Sequence, residues 1–141
     1  MRIFNKLLSV LLALCLSSSV SGCADRKLSD QEKETNIKVI VKKRDASFYT
    51  VVKMGALAAG KEFAVNVDFG GPTDEKDIAG QIRMVEKAIA EKSDALVLAA
   101  SDYIRLVNVA EKAVREDIPV IVIDSDINSD KIHSFIGTDN V

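Results

Sequence analysis

The chain has little histidine and no excess of basic charge, and these absences exclude several classes of function. Its single histidine, His133, has no cysteine and no spaced histidine partner, so the sequence lacks the pattern of a metal site. The 21 acidic residues outnumber the 19 basic ones. Because a nucleic-acid-binding domain carries a basic surface, we expect no nucleic-acid partner.

Nucleotide-binding motifs are also missing. No G-x-G-x-x-G follows the first predicted strand, which argues against a dinucleotide cofactor. The segment from Gly55 to Lys61 resembles a phosphate-binding P-loop, but Glu62 stands where that loop needs a hydroxyl. The segment also lies between a helix and a strand, the reverse of a P-loop. We therefore predict no cofactor.

The N-terminal residues 1–22 have the layout of an export signal. Arg2 and Lys6 precede an apolar run from Leu7 to Leu16, which is shorter than the roughly twenty residues that span a bilayer. The run is followed by Val20-Ser21-Gly22-Cys23, which resembles the lipobox of bacterial lipoproteins. That resemblance implies that Cys23 is lipidated and holds the protein on the outer face of the cell membrane. The alternative is that Cys23 is an incidental small residue.

Both cysteines of the sequence lie in its first 23 residues, so we expect no cysteine chemistry in the folded part. Cys15 is expected to leave with the signal, and lipidation of Cys23, as the resemblance implies, would leave the mature chain with no free thiol for a disulfide or for catalysis. Residues 23–36 are almost wholly polar and predict a flexible tether. Residues 37–141 are long enough for one hydrophobic core.

Short β-branched runs alternate with amphipathic stretches from Ile37 onward, which is the pattern of βαβ units in a parallel sheet. We predict an α/β fold with an open, doubly wound parallel sheet. The predicted strands are 37–41, 63–69, 95–98, 120–123 and a short fifth at 134–136. The predicted helices are 47–60 with Ser47 as N-cap, a second from Thr73 or Asp74 to about Lys92, and a third that opens at Ser101 with Ile104 facing inward.

Ligands of such sheets bind beyond the carboxyl ends of the strands, so the residues there are the candidates for a site. Asp45 follows the first strand, and Phe48 and Tyr49 come at the start of the next helix. Paired aromatic rings stack on the apolar face of a sugar, and carboxylates accept hydrogen bonds from its hydroxyls. The alternative is that Phe48 and Tyr49 belong to the core of the helix.

A second group of polar residues follows the fourth strand. Asp124 and Ser125 come directly after it, and Asp124 is placed to accept hydrogen bonds from ligand hydroxyls. The alternative for Asp124 is a turn aspartate that satisfies its own backbone. For Ser101, Asp102 and Asp126 we favour roles in loops or helix caps. No base is paired with a nucleophile, so we do not expect an enzyme.

These residues resemble the N-terminal lobe of the periplasmic sugar-binding proteins of ribose and galactose type. The resemblance covers residues 37–141 and rests on Phe48-Tyr49, Gly55-Ala, Asp77-Ile-Ala-Gly-Gln-Ile82, Ser93-Asp-Ala-Leu-Val-Leu98, Ile118-Pro-Val-Ile-Val-Ile-Asp124 and Ile136-Gly-Thr-Asp-Asn140.

The resemblance implies that Phe48 and Tyr49 stack on a sugar ring and that Asp124 bonds its hydroxyls. Ala46 and Ala99 stand where that family often has polar ligands, and Ser125 stands where ribose binders have arginine. The implied partner is an ABC transporter permease. The alternative is a sensor that presents its ligand to a membrane receptor kinase. The family has two lobes, so we expect this chain to be a fragment that lacks the second one.

Overall fold

A computed structural model describes residues 34–138 of the chain. Five strands and three helices alternate along it. The strands are β1 (Asn36–Ile40), β2 (Asn66–Gly70), β3 (Ala95–Leu98), β4 (Val120–Ile123) and β5 (Ser134–Ile136), and the helices are α1 (Ser47–Glu62), α2 (Ile78–Ala90) and α3 (Val107–Arg115). The export signal, most of the tether and Cys23 lie outside the described residues, as do residues 139–141.

The strands form one sheet in the order β2-β1-β3-β4-β5, and every neighbouring pair is parallel. In register, Ile40 of β1 pairs with Leu98 of β3, which pairs with Val122 of β4. The carboxyl ends of these three central strands therefore lie side by side. The predicted α/β fold with a doubly wound parallel sheet is confirmed.

Two hydrophobic clusters lie on opposite faces of the sheet. Leu96 and Leu98 of β3 belong to a cluster that includes residues of α2 and α3, whereas Val97 packs against a cluster that includes Tyr49 of α1. Successive strand residues point to opposite faces, so α1 covers one face and the other two helices cover the second. This arrangement explains why β3 and β4 are continuous apolar runs.

The N-caps of α1 and α2 differ from those that the sequence predicted. Ser47 is the first helical residue and not the N-cap of α1, because Ala46 holds that position and no side chain caps the helix. For α2 the prediction of Thr73 or Asp74 as cap is wrong. Asp77 is the N-cap, and its carboxylate accepts a 2.8 Å hydrogen bond from the Gly80 amide. A Cβ at position 80 would overlap that carboxylate, which explains the glycine.

The segment between β3 and α3 also differs from its prediction. Ser101 does not open a helix, because α3 begins only at Val107. The Asp102 carboxylate instead accepts hydrogen bonds from the Ile104 and Arg105 amides, at 2.9 and 2.7 Å, and so stabilises a turn ahead of the helix. Ile104, which was predicted to face inward, is exposed in this turn.

The boundary between α1 and β2 also differs from its prediction. The helix continues past Gly60 to Glu62, and β2 starts at Asn66 rather than at Phe63. Ala64 has a φ of 52°, in the left-handed region, which ends the helix and turns the chain into the strand. Among residues 34–138, no helix is both long and apolar enough to cross a membrane.

Candidate functional site

Three segments of the chain meet at the carboxyl edge of the sheet. Lys42 lies two residues beyond β1, Tyr49 lies in the first turn of α1, and Asp124 and Ser125 directly follow β4. Because β1 and β4 both flank β3, their carboxyl ends are close together. This edge is where open parallel α/β sheets bind ligands, and it is the candidate site.

The Asp124 carboxylate is held by three side chains through one of its oxygens. Asp124 Oδ2 accepts a 2.9 Å hydrogen bond from the Tyr49 hydroxyl, accepts a 3.3 Å bond from Ser125 Oγ, and lies 3.2 Å from Lys42 Nζ. The Lys42 ammonium also donates to Ser125 Oγ. These four residues are called the Asp124 cluster below. None of the three contacts uses Asp124 Oδ1.

The backbone of Asp124 is as constrained as its side chain. Its φ is 62°, in the left-handed region that non-glycine residues seldom adopt, although aspartate tolerates it better than most. The Asp124 amide donates a 3.0 Å hydrogen bond to the Ile136 carbonyl at the end of β5. Unfavourable backbone conformations persist where the surroundings fix them, and they concentrate at functional sites.

The cluster keeps the carboxylate charged and the phenol neutral. Burial by itself would raise the pKa of the Asp124 carboxyl, but hydrogen bonds from Tyr49, Lys42 and Ser125 and the charge of Lys42 outweigh burial and hold this pKa below its ordinary value. Burial raises the pKa of the Tyr49 phenol well above its ordinary range, and the hydrogen bond to the Asp124 carboxylate raises it further. Tyr49 is therefore a donor to Asp124 throughout the physiological range of pH.

The two predicted stacking rings have different environments. The Tyr49 side chain packs in the hydrophobic cluster under α1 and is only 5 % exposed, whereas Phe48 is 56 % exposed. Their ring centroids are 5.1 Å apart and the rings meet edge to face at 75°. Of these two rings, only that of Phe48 is exposed to solvent, and it packs against the buried ring of Tyr49. The role of either ring in ligand binding stays a prediction.

The remaining predicted residues fall into two groups. Asp45 is exposed and lies 3.5 Å from the neighbouring Arg44 guanidinium, outside the Asp124 cluster, whereas Ser125 is part of it. Asp126 accepts a hydrogen bond from the Ile127 amide, and Asp102 stabilises the turn described above. The predicted loop roles of Asp102 and Asp126 are confirmed.

The side chain of Gln81 in α2 also stabilises this edge of the sheet, a role that the sequence did not predict. It is fully buried, donates a 2.8 Å hydrogen bond to the Ala99 carbonyl, and accepts a 2.9 Å bond from the Ser101 amide. Its side-chain amide thus ties the loop after β3 to the helix. Ser101 also lines an open cavity of about 560 Å³ beside Lys43 and Asp74.

A larger cavity lies at the opposite end of the sheet. Its volume is about 660 Å³, and Ser93 and Ile118, which precede β3 and β4, are among the residues that line it. We do not place the site there, because ligands of these sheets bind at the carboxyl ends of the strands. His133 has a structural role at the edge of β4, where its Nδ1 accepts a 3.2 Å hydrogen bond from the Val120 amide. The described part of the chain contains no group of acidic, histidine or cysteine side chains arranged to hold a metal ion.

Comparison with models of protein families identifies the family of this chain. Residues 37–141 match the model of the periplasmic binding protein domain. The chain belongs to this family. Its predicted resemblance to such proteins is therefore confirmed. The relatives described next are solute-binding proteins and not enzymes, which agrees with the prediction for this chain.

Relatives of this periplasmic binding protein domain are much longer than the chain. The D-ribose/D-allose-binding protein of Pseudomonas aeruginosa is 32 % identical over 120 residues, which cover 79 % of this chain and 38 % of the relative. The chain thus spans less than half the length of the curated relative that it matches.

Solved structures share the fold, and the chain again covers less than half of each of the two described here. A carbohydrate transporter solute-binding protein from Agrobacterium radiobacter, in complex with D-arabinose, has a TM-score of 0.74 and 35 % identity, and the match covers 77 % of this chain and 36 % of that one. An ABC transporter solute-binding protein from Agrobacterium vitis with bound D-fucose has a TM-score of 0.70 and 42 % identity, with 74 % and 38 % covered.

Proposed function

We propose that this chain is the N-terminal lobe of an extracytoplasmic solute-binding lipoprotein that captures a sugar for an ABC transporter. The observation that carries the proposal is the Asp124 cluster, which holds a charged carboxylate at the carboxyl edge of the sheet. The exposed ring of Phe48 packs against Tyr49 of this cluster. The edge thus combines a hydrogen-bond acceptor with an apolar surface.

A sugar fits both features. Its hydroxyls donate hydrogen bonds to carboxylates, and the C–H face of its ring packs on an aromatic side chain. The relatives support this ligand class, because those named above bind or are named for D-ribose, D-allose, D-arabinose and D-fucose. Asp45 and Ser125 are further candidates for ligand contact from the same edge.

The transport role and the second half of the cleft are carried over from the relatives. The relatives are more than twice as long as the segment that matches this chain. A second lobe would therefore close over the ligand from the other side. The ligand-bound protein would then dock on a transporter permease. Both statements extend beyond residues 37–141, which form one side of the cleft.

The location is proposed from residues 1–23. Export and lipidation of Cys23 would hold the protein on the outer face of the cell membrane. Cys23→Ala should release the protein from the membrane fraction or leave its export signal uncut. A mature-sized Cys23→Ala protein that still sediments with membranes would contradict the lipid anchor.

The ligand proposal is tested on the full-length protein by calorimetric titration with D-ribose, D-allose, D-arabinose and D-fucose. At least one of these sugars should bind, and Asp124→Ala should weaken its binding roughly ten- to a hundredfold, as expected for a lost hydrogen bond to a charged group. Asp130→Ala removes an exposed carboxylate outside the cluster and should leave the affinity unchanged. The sugar proposal fails if the wild type binds none of the four.

A further inference from the structure

We propose that the cavity at the amino end of the sheet is a second binding site, which takes a linear aliphatic diamine. The cavity has a volume of about 660 Å³ and is lined by residues from the last turns of α2 and α3 and from the loops that follow them. This volume lies in the range of small-molecule sites, about 300–1,000 Å³. The inference is independent of the proposed sugar site, which lies at the carboxyl edge of the sheet.

A buried serine in the wall of the cavity is the first observation that points to a ligand. Ser93 lines the cavity and is only 6 % exposed. Its hydroxyl has no hydrogen-bond partner among the described residues, whereas its amide donates to the Ala88 carbonyl. Buried hydroxyls without a partner are uncommon, because nothing offsets their loss of hydration. The Ser93 hydroxyl can accept a hydrogen bond from an ammonium group that enters the cavity.

The charged side chains that line the cavity have an excess of negative charge. They are four carboxylates and two lysines: Glu86, Asp94, Glu116, Asp117, Lys92 and Lys112. The Asp94 carboxylate accepts a 2.8 Å hydrogen bond from the Asn36 amide. The other three carboxylates make no hydrogen bond or ion pair with any residue that the structure describes. The cavity therefore favours a cation over an anion.

The ends of two helices add to this negative potential. α2 ends at Ala90 and α3 ends at Arg115, and residues from the last turn of each helix line the cavity. The carbonyl groups at a helix C-terminus carry the negative end of the helix dipole, which stabilises a cation within about one turn. The described residues contain no group of acidic, histidine or cysteine side chains that could hold a metal ion. An organic ammonium, which donates to acceptors that lie apart from one another, fits the cavity better.

The arrangement of apolar and acidic residues indicates a ligand with two ammonium groups. Three apolar residues line the cavity: Ile89, Ala90 and Ile118. Glu86 belongs to α2, whereas Glu116 follows α3, so unpaired carboxylates come from both of the helices that flank the cavity. A chain of methylene groups packs on the apolar residues, and an ammonium at each end of this chain pairs with a carboxylate.

The first experiment titrates three compounds of equal chain length into the full-length protein by calorimetry at low ionic strength. 1,4-Diaminobutane carries two positive charges, 1,4-butanediol carries none, and succinate carries two negative charges. We expect the diamine alone to bind, and we expect added salt to weaken its binding because the charges that line the cavity are exposed. The inference is overturned if the diamine does not bind, or if the diol or succinate binds as tightly.

The second experiment locates the bound diamine with substitutions of opposite charge. Glu86→Gln and Glu116→Gln should each weaken its binding roughly two- to fivefold, as for the loss of one exposed ion pair. Lys112→Met removes a positive charge from the same cavity and should strengthen binding by a similar factor. Asp130→Asn removes an exposed carboxylate outside the cavity and should have no effect. If the first three variants bind the diamine as the wild type does, the diamine binds elsewhere and the inference is wrong.

The third experiment tests the buried hydroxyl and the independence of the two sites. Ser93→Ala should weaken diamine binding roughly two- to tenfold, as for one lost hydrogen bond, and should leave the melting temperature of the ligand-free protein unchanged. The diamine should also bind with equal affinity when the protein is saturated with the best sugar, meaning the one of the four sugars named above that binds most tightly. A diamine that this sugar displaces would occupy the carboxyl edge, which contradicts a second site. A wild type that binds the diamine but no sugar refutes the sugar proposal and leaves this inference supported.

Discussion

The Tyr49 hydroxyl donates a 2.9 Å hydrogen bond to Asp124 Oδ2, which joins the first turn of α1 to the end of β4 across 75 positions of the sequence. Tyr49 therefore contributes to the core through its ring and to the candidate site through its hydroxyl. The sequence had offered these as alternatives, and the structure combines them in one residue. Phe48, its neighbour, is left as the exposed ring.

Tyr49→Phe should separate the two contributions of this side chain. The ring stays in place, and the loss of the hydroxyl leaves Asp124 with two of its three partners, so unfolding should become easier by about 1.5 kcal/mol. Urea denaturation measures the change. The matched control is Tyr103→Phe, whose hydroxyl makes a 3.4 Å bond to Asn128 at the surface and whose loss should change stability by less than about 0.5 kcal/mol. Equal effects of the two substitutions would refute the structural importance of the Tyr49 bond.

Phe48→Leu tests the stacking surface. Leucine removes the flat ring but remains apolar, so binding of the best sugar should weaken by about 0.5–1.5 kcal/mol. Because Phe48 is exposed, the melting temperature should hardly change. Phe63→Leu removes an exposed ring at the far end of α1 and should alter neither property. A protein that is destabilised by Phe48→Leu but keeps its affinity would show that the ring serves the core.

The pH dependence of stability should reveal the charge on Asp124. Its pKa is lower in the folded protein than in the unfolded chain, where an aspartate titrates near pH 4, at about 3.9. The stabilisation is therefore fully present above that value and is lost as the pH falls through the lower, folded-state pKa. Asp124→Asn should destabilise the protein at pH 7, and this difference should shrink as the pH falls below about 4.

Urea unfolding of both proteins between pH 7 and pH 2.5 measures this difference. Asp130→Asn serves as the control, because this exposed carboxylate lies outside the Asp124 cluster and its loss should change the unfolding free energy little. A difference between wild type and Asp124→Asn that stays constant down to pH 2.5 would contradict the charged cluster.

Local pattern was enough to predict the sheet but not the contacts of the site. The runs Ala95–Leu98 and Val120–Ile123 were predicted residue by residue, because a strand covered on both faces must be continuously apolar. That Asp124 lies at the carboxyl edge followed from the parallel topology. Its bonds to Tyr49 and Lys42 could not be predicted, because they depend on how α1 packs and not on spacing along the chain.

The predictions of where α2 and α3 begin were wrong, because the choice of N-cap also depends on three-dimensional contacts. Thr73, Asp74 and Asp77 are all good N-cap residues, and sequence alone does not rank them. The choice of Asp77 depends on Gly80, whose lack of a side chain leaves room for the capping carboxylate. The prediction of Ser101 as a helix start failed because the Asp102 carboxylate binds two amides of a turn that precedes α3.

Gln81→Leu should be among the more destabilising substitutions in this domain. The leucine fills a similar volume but leaves the Ala99 carbonyl and the Ser101 amide without their partner, which should cost about 2–4 kcal/mol in the free energy of unfolding. Ser93→Ala is the matched control, because the Ser93 hydroxyl is buried with no hydrogen-bond partner among the described residues. Its removal should be neutral or slightly stabilising, and an equal loss for both variants would refute the role of Gln81.

Lys92→Gly should stabilise the protein, although lysine is the better helix former. Lys92 follows α2 with a φ of 53°, and the Ser93 amide after it bonds back to the Ala88 carbonyl at 3.1 Å, as in a helix that ends on a left-handed residue. A side chain in this conformation costs about 1 kcal/mol that glycine avoids, so the melting temperature should rise by a few degrees. Lys87→Gly, inside the same helix, should lower stability by about 1 kcal/mol, because glycine there adds freedom to the unfolded chain and removes the 3.6 Å ion pair of Lys87 with Glu91 at the helix surface. If both substitutions destabilise, the left-handed residue does not carry the strain that its φ indicates.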